Sequence, residues 1–169
     1  MKMKIEDLSP RYRISRLTDD DLPQLLSLCR TNPLFFQHCP PEASLETLAA
    51  DLRALPPRKT HEDKYYLGFW LGGELVAALD LILRFPNGHT AFIGFFMLHA
   101  AHQGHGEGSR LIGEILSCLG REFSHVRLGY VKGNEQSMHF WHKNGFAETG
   151  VIVQSSGYEI VYTQKELHP

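Results

Sequence analysis

The chain has 169 residues, 43% hydrophobic and 21% charged, a composition suited to one compact domain over residues 1–169. Its 17 basic and 19 acidic residues leave a net charge of -2 with no long basic run, which argues against a nucleic-acid partner. Cys29, Cys39 and Cys118 are odd in number and form no CxxC pair, so they read as free thiols of a reducing compartment rather than a disulfide framework.

The opening "MKMKIEDLSPRYRI" turns acidic and is broken by Pro10, so no leader is expected there. No stretch reaches the roughly 18 apolar residues of a membrane span, and the expected location is cytoplasmic, away from membranes. "RYRISRLT" reads as a strand. It is followed by a helix in which Thr18 can serve as N-cap, acidic residues suit the first turn, and Leu22, Leu25, Leu26 and Cys29 make an apolar stripe. Pro40-Pro41 and Pro56-Pro57 bracket a second helix with the stripe Leu45, Leu48, Leu52 and Leu55. The loops around it suit a lid or an irregular helix hairpin equally well.

From residue 65 three apolar runs are separated by Gly72-Gly73 and by "PNGH", which predicts an antiparallel meander. A helix over 107–119 carries Leu111, Ile112, Ile115, Leu116 and Leu119 on one face. Then come a strand "HVRLGYV", a short helix "EQSMHFWHKN" and two final strands around "FAETGVIVQ" and "YEIVYTQKEL". The class is α/β with a mixed sheet.

The segment joining the meander to the 107–119 helix, "MLHAAHQGHGEGSR", carries the chemistry. A strand followed by glycines and the free amides of a helix start makes an anion site, with phosphate as the natural guest. Gly104, Gly106 and Gly108 permit close backbone approach and positive φ. A dinucleotide fingerprint GxGxxG begun at Gly104 would need a third glycine where Ser109 stands, and one begun at Gly106 fails as well. A Walker loop needs a lysine where Ser109 and Arg110 follow Gly108. The meander also does not suit those parallel-sheet families.

The run Gln103, Gly104, His105, Gly106, Glu107, Gly108 matches Q-x-x-G-x-G. Some thirty residues later stands "LGYVKGNEQSMHFWHKNGF", with Asn134, Ser137, Phe140, Trp141, Lys143, Gly145 and Phe146 in register. On these two motifs, over residues 97–146, the chain resembles the GNAT superfamily of acyl-CoA N-acyltransferases, and the strand order extends the likeness over most of the chain. The resemblance implies a GNAT fold: a mixed, mostly antiparallel sheet of six to seven strands with about four helices. It also implies acetyl-CoA as cosubstrate, and as partner a small-molecule or peptide amine acceptor, with a homodimer as one possible assembly.

Carried over residue by residue, the resemblance has the amides of Gly104, His105, Gly106, Glu107, Gly108 and Ser109, with Gln103, cradle the pyrophosphate. The free backbone of Met97 and Leu98 would pair with pantetheine like an added strand. Asn134, Ser137 and Trp141 would contact it from the other side. On the residues alone, Asn134 is equally a plain N-cap.

The histidines His99, His102 and His105 are spaced by three across a strand-to-loop turn. That spacing does not put them on one face, so no metal site is expected. Acyl transfer needs a neutral amine, yet "TAFIGFFML" contains no Asp or Glu, and the position where many relatives place an acid-donating Tyr holds Trp141. Asp80, a carboxylate among apolar strand neighbours, is the first candidate to take the amine proton, with a paired core Asp as the alternative. His139 is the second, since imidazole as a group exchanges protons near neutral pH; it could equally face water. The reading is therefore an N-acetyltransferase, with a catalytically weak or inactive acyl-CoA-binding sensor of the same fold as the alternative.

Overall fold

A computed structural model describes residues 3–168; Met1, Lys2 and Pro169, the ends of the predicted domain, lie outside the described residues. Strand β1 (Arg13–Arg16) precedes three helices: α1 (Leu22–Arg30), α2 (Pro33–His38) and α3 (Leu45–Arg53). The meander β2 (Lys64–Leu71), β3 (Glu74–Ile82) and β4 (Thr90–Leu98) follows. Helix α4 (Glu107–Leu119), β5 (His125–Val131), α5 (Glu135–Lys143), β6 (Ala147–Gln154) and β7 (Glu159–Glu166) complete the chain.

The local chemistry explains the boundaries. Thr18 caps a short 3-10 turn through a reciprocal bond with Asp21 and leads into α1, whose first turn holds Pro23. Ser44 and Thr47 form the same reciprocal cap at α3. Helix α2 was not foreseen: Asn32-Pro33 starts it, with proline at the first helical position, but six residues are too few to show a helical period. With it, five α-helices lie among the described residues, in keeping with the expected fold of about four.

The sheet has seven strands in the order β1-β2-β3-β4-β5-β7-β6, and β4–β5 is its parallel pair. Two cores lie on its two faces. One joins α4 and α5 to the sheet through Leu111, Ile112, Ile115, Trp141 and Phe96. The other joins α1 and α3 to Tyr66, Ala78 and Met97, with Phe35 and Phe95 packed against it.

Two irregularities in β4 shape the molecule. Asp80 of β3 opposes Phe95 while Leu81 opposes Ile93, so Gly94 is the extra residue of a bulge. The pairing of β4 with β5 runs only from Thr90↔His125 to Ile93↔Leu128. Beyond that point the two strands part and leave a V open at their C-terminal ends.

Candidate active site

The V is a cleft of about 480 Å³, and it opens onto both faces of the sheet. Successive strand residues point to opposite sides: Phe95 packs on Phe35 and Tyr66, whereas Phe96 packs on Phe140 and Trp141. One half of the cleft is accordingly walled by the phosphate-type loop and α5, the other by α2 and the β6–β7 turn that carries Tyr158.

The loop is built for an anion. Gly104 and Gly106 have φ of +84° and +79°, and a Cβ on either would point into open space. A side chain there is excluded by backbone strain, not by neighbours. The amides from Gly104 to Ser109 find no acceptor among the described residues; the first intrahelical bond of α4 runs from the Arg110 amide to the Gly106 carbonyl at 3.0 Å. Gly108 is required for a different reason: a Cβ there would stand 2.9 Å from the Phe140 ring, so this glycine lets α5 pack against the start of α4. A pyrophosphate fits this set of free amides at a helix N-terminus.

Glu107 is the one residue of the loop whose charge opposes an anion, and the fold turns it away. Its carboxylate accepts from Arg11 and from the Tyr12 hydroxyl. Arg11 also holds Glu114 one helical stretch further on, with Nε 2.8 Å from Oε1. Burial pushes Glu107 up, but the Tyr12 and Arg11 hydrogen bonds outweigh it and hold the carboxyl below its ordinary value. Tyr12 is pushed up to about 12 by burial and by that same carboxylate. The side chains of Glu107 and His105 line a small surface hollow with Arg11 and Tyr12, apart from the cleft. Of these two residues only the backbone serves the loop.

Gln103, Gly104, Gly106, Gly108, Ser109, Asn134, Ser137, Trp141, Met97 and Leu98 all line the cleft. The backbone expectation for the strand end needs correction. The Leu98 carbonyl accepts from Gln103 Nε2 at 2.7 Å and from Asn32 Nδ2 at 3.1 Å, which uses both of its lone pairs. The His99 amide bonds Val76 in β3, so strand alternation directs the Met97 backbone to β3 and those of Phe96 and Leu98 to the cleft. Gln103 thus fastens the loop to the strand end and to Asn32. Asn134 is 3% exposed and caps α5, its Oδ1 accepting from the Ser137 amide at 3.2 Å; its Nδ2 has no partner among the described residues and is free for a guest.

The two proton-transfer candidates part company. His139 is exposed and lies outside the cleft lining. Asp80 pairs with Lys64, whose Nζ lies 3.0 Å from Oδ1 and 3.1 Å from Oδ2 and also donates to the Ala54 carbonyl at 2.8 Å. Its Oδ1 is fully buried and out of line for a hydrogen bond. Burial pushes Asp80 up and Lys64 pulls it back, with a net rise above its ordinary value. Gly94 lines the cleft directly over this carboxylate.

Several lining residues were not foreseen. Asn32, Phe35 and Cys39 come from around α2, and Tyr158 from the β6–β7 turn; the Cys39 thiol donates to the Tyr158 hydroxyl at 3.6 Å. That contact pushes Tyr158 up. Tyr130 of β5 donates to Glu148, which also bonds His142 at 2.6 Å. Burial and then Glu148 push Tyr130 up to about 12, so it stays protonated. The prolyl start of α2 and the Gly157-Tyr158 turn were the available signals.

Residues 24–146 match the acetyltransferase (GNAT) family. The chain belongs to the GNAT family. No curated protein matches it significantly. Among solved structures, an acetyltransferase from Thermus thermophilus is 21% identical with a TM-score of 0.73, covering 91% of this chain and 96% of that one. The ribosomal-protein-S18-alanine N-acetyltransferase from Escherichia coli is 16% identical with a TM-score of 0.66, covering 93% and 94%. The PaiA N-acetyltransferase from Thermoplasma acidophilum, in complex with coenzyme A, is 18% identical with a TM-score of 0.64, covering 91% and 98%. At these identities the likeness is one of fold. Among the described residues of this GNAT chain, no helix is long and apolar enough to cross a membrane.

Proposed function

We propose that this chain transfers the acetyl group of acetyl-CoA directly to a primary amine. The observation that carries the reading is the row of amides from Gly104 to Ser109, unpartnered among the described residues, at the mouth of a cleft that opens onto both faces of the sheet. The solved relative in complex with coenzyme A supports the choice of guest.

In this reading the loop amides and the α4 dipole bind the pyrophosphate, with Lys143 as the charged side chain of the lining among the described residues. The Phe96 backbone and Asn134 Nδ2 hold the pantetheine arm, and Trp141, wedged against Phe96, Phe140 and Phe146, keeps water from it. The acceptor amine enters from the α2 side and attacks the thioester carbonyl; the thiol leaves. Asp80 takes the ammonium proton past Gly94. Trp141 is no proton donor at neutral pH, so the leaving thiolate collects its proton from solvent. Most of the rate then comes from alignment of amine and thioester in the V.

A second reading, binding of acyl-CoA without turnover, is favoured by the Lys64–Asp80 pair, which occupies the carboxylate beneath Gly94. Release of free thiol from acetyl-CoA with an amine panel tests the proposal, with product mass as the check. A CoA-dependent rise in unfolding temperature with no thiol release for any amine favours the second reading.

A further inference from the structure

The half of the cleft that faces α2 has a definite chemistry. Phe35 stands edge-on to Phe95, with ring centroids 5.6 Å apart, and Tyr66 stacks behind Phe95 at 6.2 Å. Cys39, one turn after Phe35, meets Tyr158 of the β6–β7 turn at 3.6 Å, and Ile160 also lines the cleft. No Asp or Glu lines the cleft among the described residues, and its charged residue, Lys143, is a cation. The carboxylate beneath Gly94, Asp80, already neutralises Lys64 and is 15% exposed, with Gly94 covering its cleft side by backbone alone.

Resting on the transfer reading above, we infer that the acceptor is a primary amine carried on one uncharged aromatic body, with no second cationic group. A ring meets ring edges and faces in the Phe35–Phe95–Tyr158 chamber, which is the packing aromatic groups favour. One ammonium can approach Asp80 at Gly94. A second one, as in a polyamine or an aminoglycoside, would sit in an apolar wall without a counter-charge, and an unpaired charge is costly to desolvate. A peptide would bring several backbone amides against the same apolar wall, where Phe35, Phe95 and Ile160 offer them no side-chain partner.

The test is a comparison of kcat/KM on the purified full chain with acetyl-CoA and 2-phenylethylamine, tryptamine, ethylamine, spermidine, kanamycin and an alanyl peptide. The expected result is 2-phenylethylamine or tryptamine ahead of ethylamine and of both polycations by at least about ten-fold, the scale on which an apolar pocket discriminates. Phe35→Ala should remove this advantage mainly through KM while the coenzyme A dissociation constant stays unchanged. Preference for spermidine, kanamycin or the peptide, or equal use of ethylamine, overturns the inference. If no amine is acetylated, the transfer reading fails and calorimetry decides the chamber separately. Binding of 2-phenylethylamine to coenzyme A-loaded protein, weakened in Phe35→Ala and absent for spermidine, upholds it; absence of that binding overturns it.

Discussion

The Oδ2 atom of Asp80 stands 2.9 Å from the place a Cβ on Gly94 would occupy. Bulge and carboxylate are therefore a matched pair: a side chain on the extra residue of β4 would press on the Asp80 carboxylate that holds Lys64. Gly94→Ala should lower transfer by displacing the carboxylate, and a rate equal to the parent would show that Asp80 has no part in it.

Asp80→Asn separates the catalytic from the structural role. Transfer should fall while coenzyme A affinity, set by the loop, stays the same. Stability should fall little, because burial disfavours the Asp80 charge by more than Lys64 favours it. Denaturant unfolding and a coenzyme A titration measure the two effects; an unchanged rate returns Asp80 to the core.

The raised Asp80 gives a pH signature. The folded chain holds this proton more tightly than the unfolded one, so stability falls as pH rises from the ordinary value of 3.8 through the folded value. Asp80→Asn should lose that part of the slope. If the ionised carboxylate takes the amine proton, the acid limb of kcat/KM for a given amine should include a step above 3.8 that Asp80→Asn removes. Identical acid limbs in the two proteins contradict the assignment.

Gly106→Val places a β-branched residue at φ +79°, where L residues are strained. The loop must rearrange, and coenzyme A binding should be lost even where the far-UV circular dichroism remains that of the parent. Parent-like affinity in the folded variant would remove the loop from the site.

Arg11→Ala releases the Glu107 carboxylate at the first turn of α4, facing the incoming phosphates. The repulsion should be worth about 1 kcal/mol, or roughly a five-fold loss of coenzyme A affinity. Adding Glu107→Gln should restore most of it. A double variant as weak as the single one would mean that Arg11 acts through packing alone.

The legible parts of this molecule were local. The 107–119 helix, the Gly72-Gly73 turn and the glycine loop all follow from spacings within a few residues, and each stands where its pattern put it. Helix α2 was hidden because six residues between prolines carry no period. The partners of the site were hidden by distance along the chain. Lys64 meets Asp80 only because β2 pairs with β3 as Tyr66↔Asp80. Arg11 meets Glu107 across 96 residues. The insertion of β7 between β5 and β6, which brings Tyr158 to the cleft, has no signal in either strand's composition. Asp80 shows the limit most clearly: its alternation among apolar residues marked it as unusual, and only the fold shows both Lys64 on one side and Gly94 on the other.

The most direct measurement is thermal unfolding of the whole chain with acetyl-CoA, with ATP and NAD as controls. At a hundred times the dissociation constant the ligand should add about 2.7 kcal/mol, roughly 5 to 10 °C for a chain of this size. A shift of that size with acetyl-CoA, and little with ATP or NAD, is the predicted result. No shift in well-folded protein, or equal shifts with all three, would contradict the assignment of the loop and cleft to acetyl-CoA.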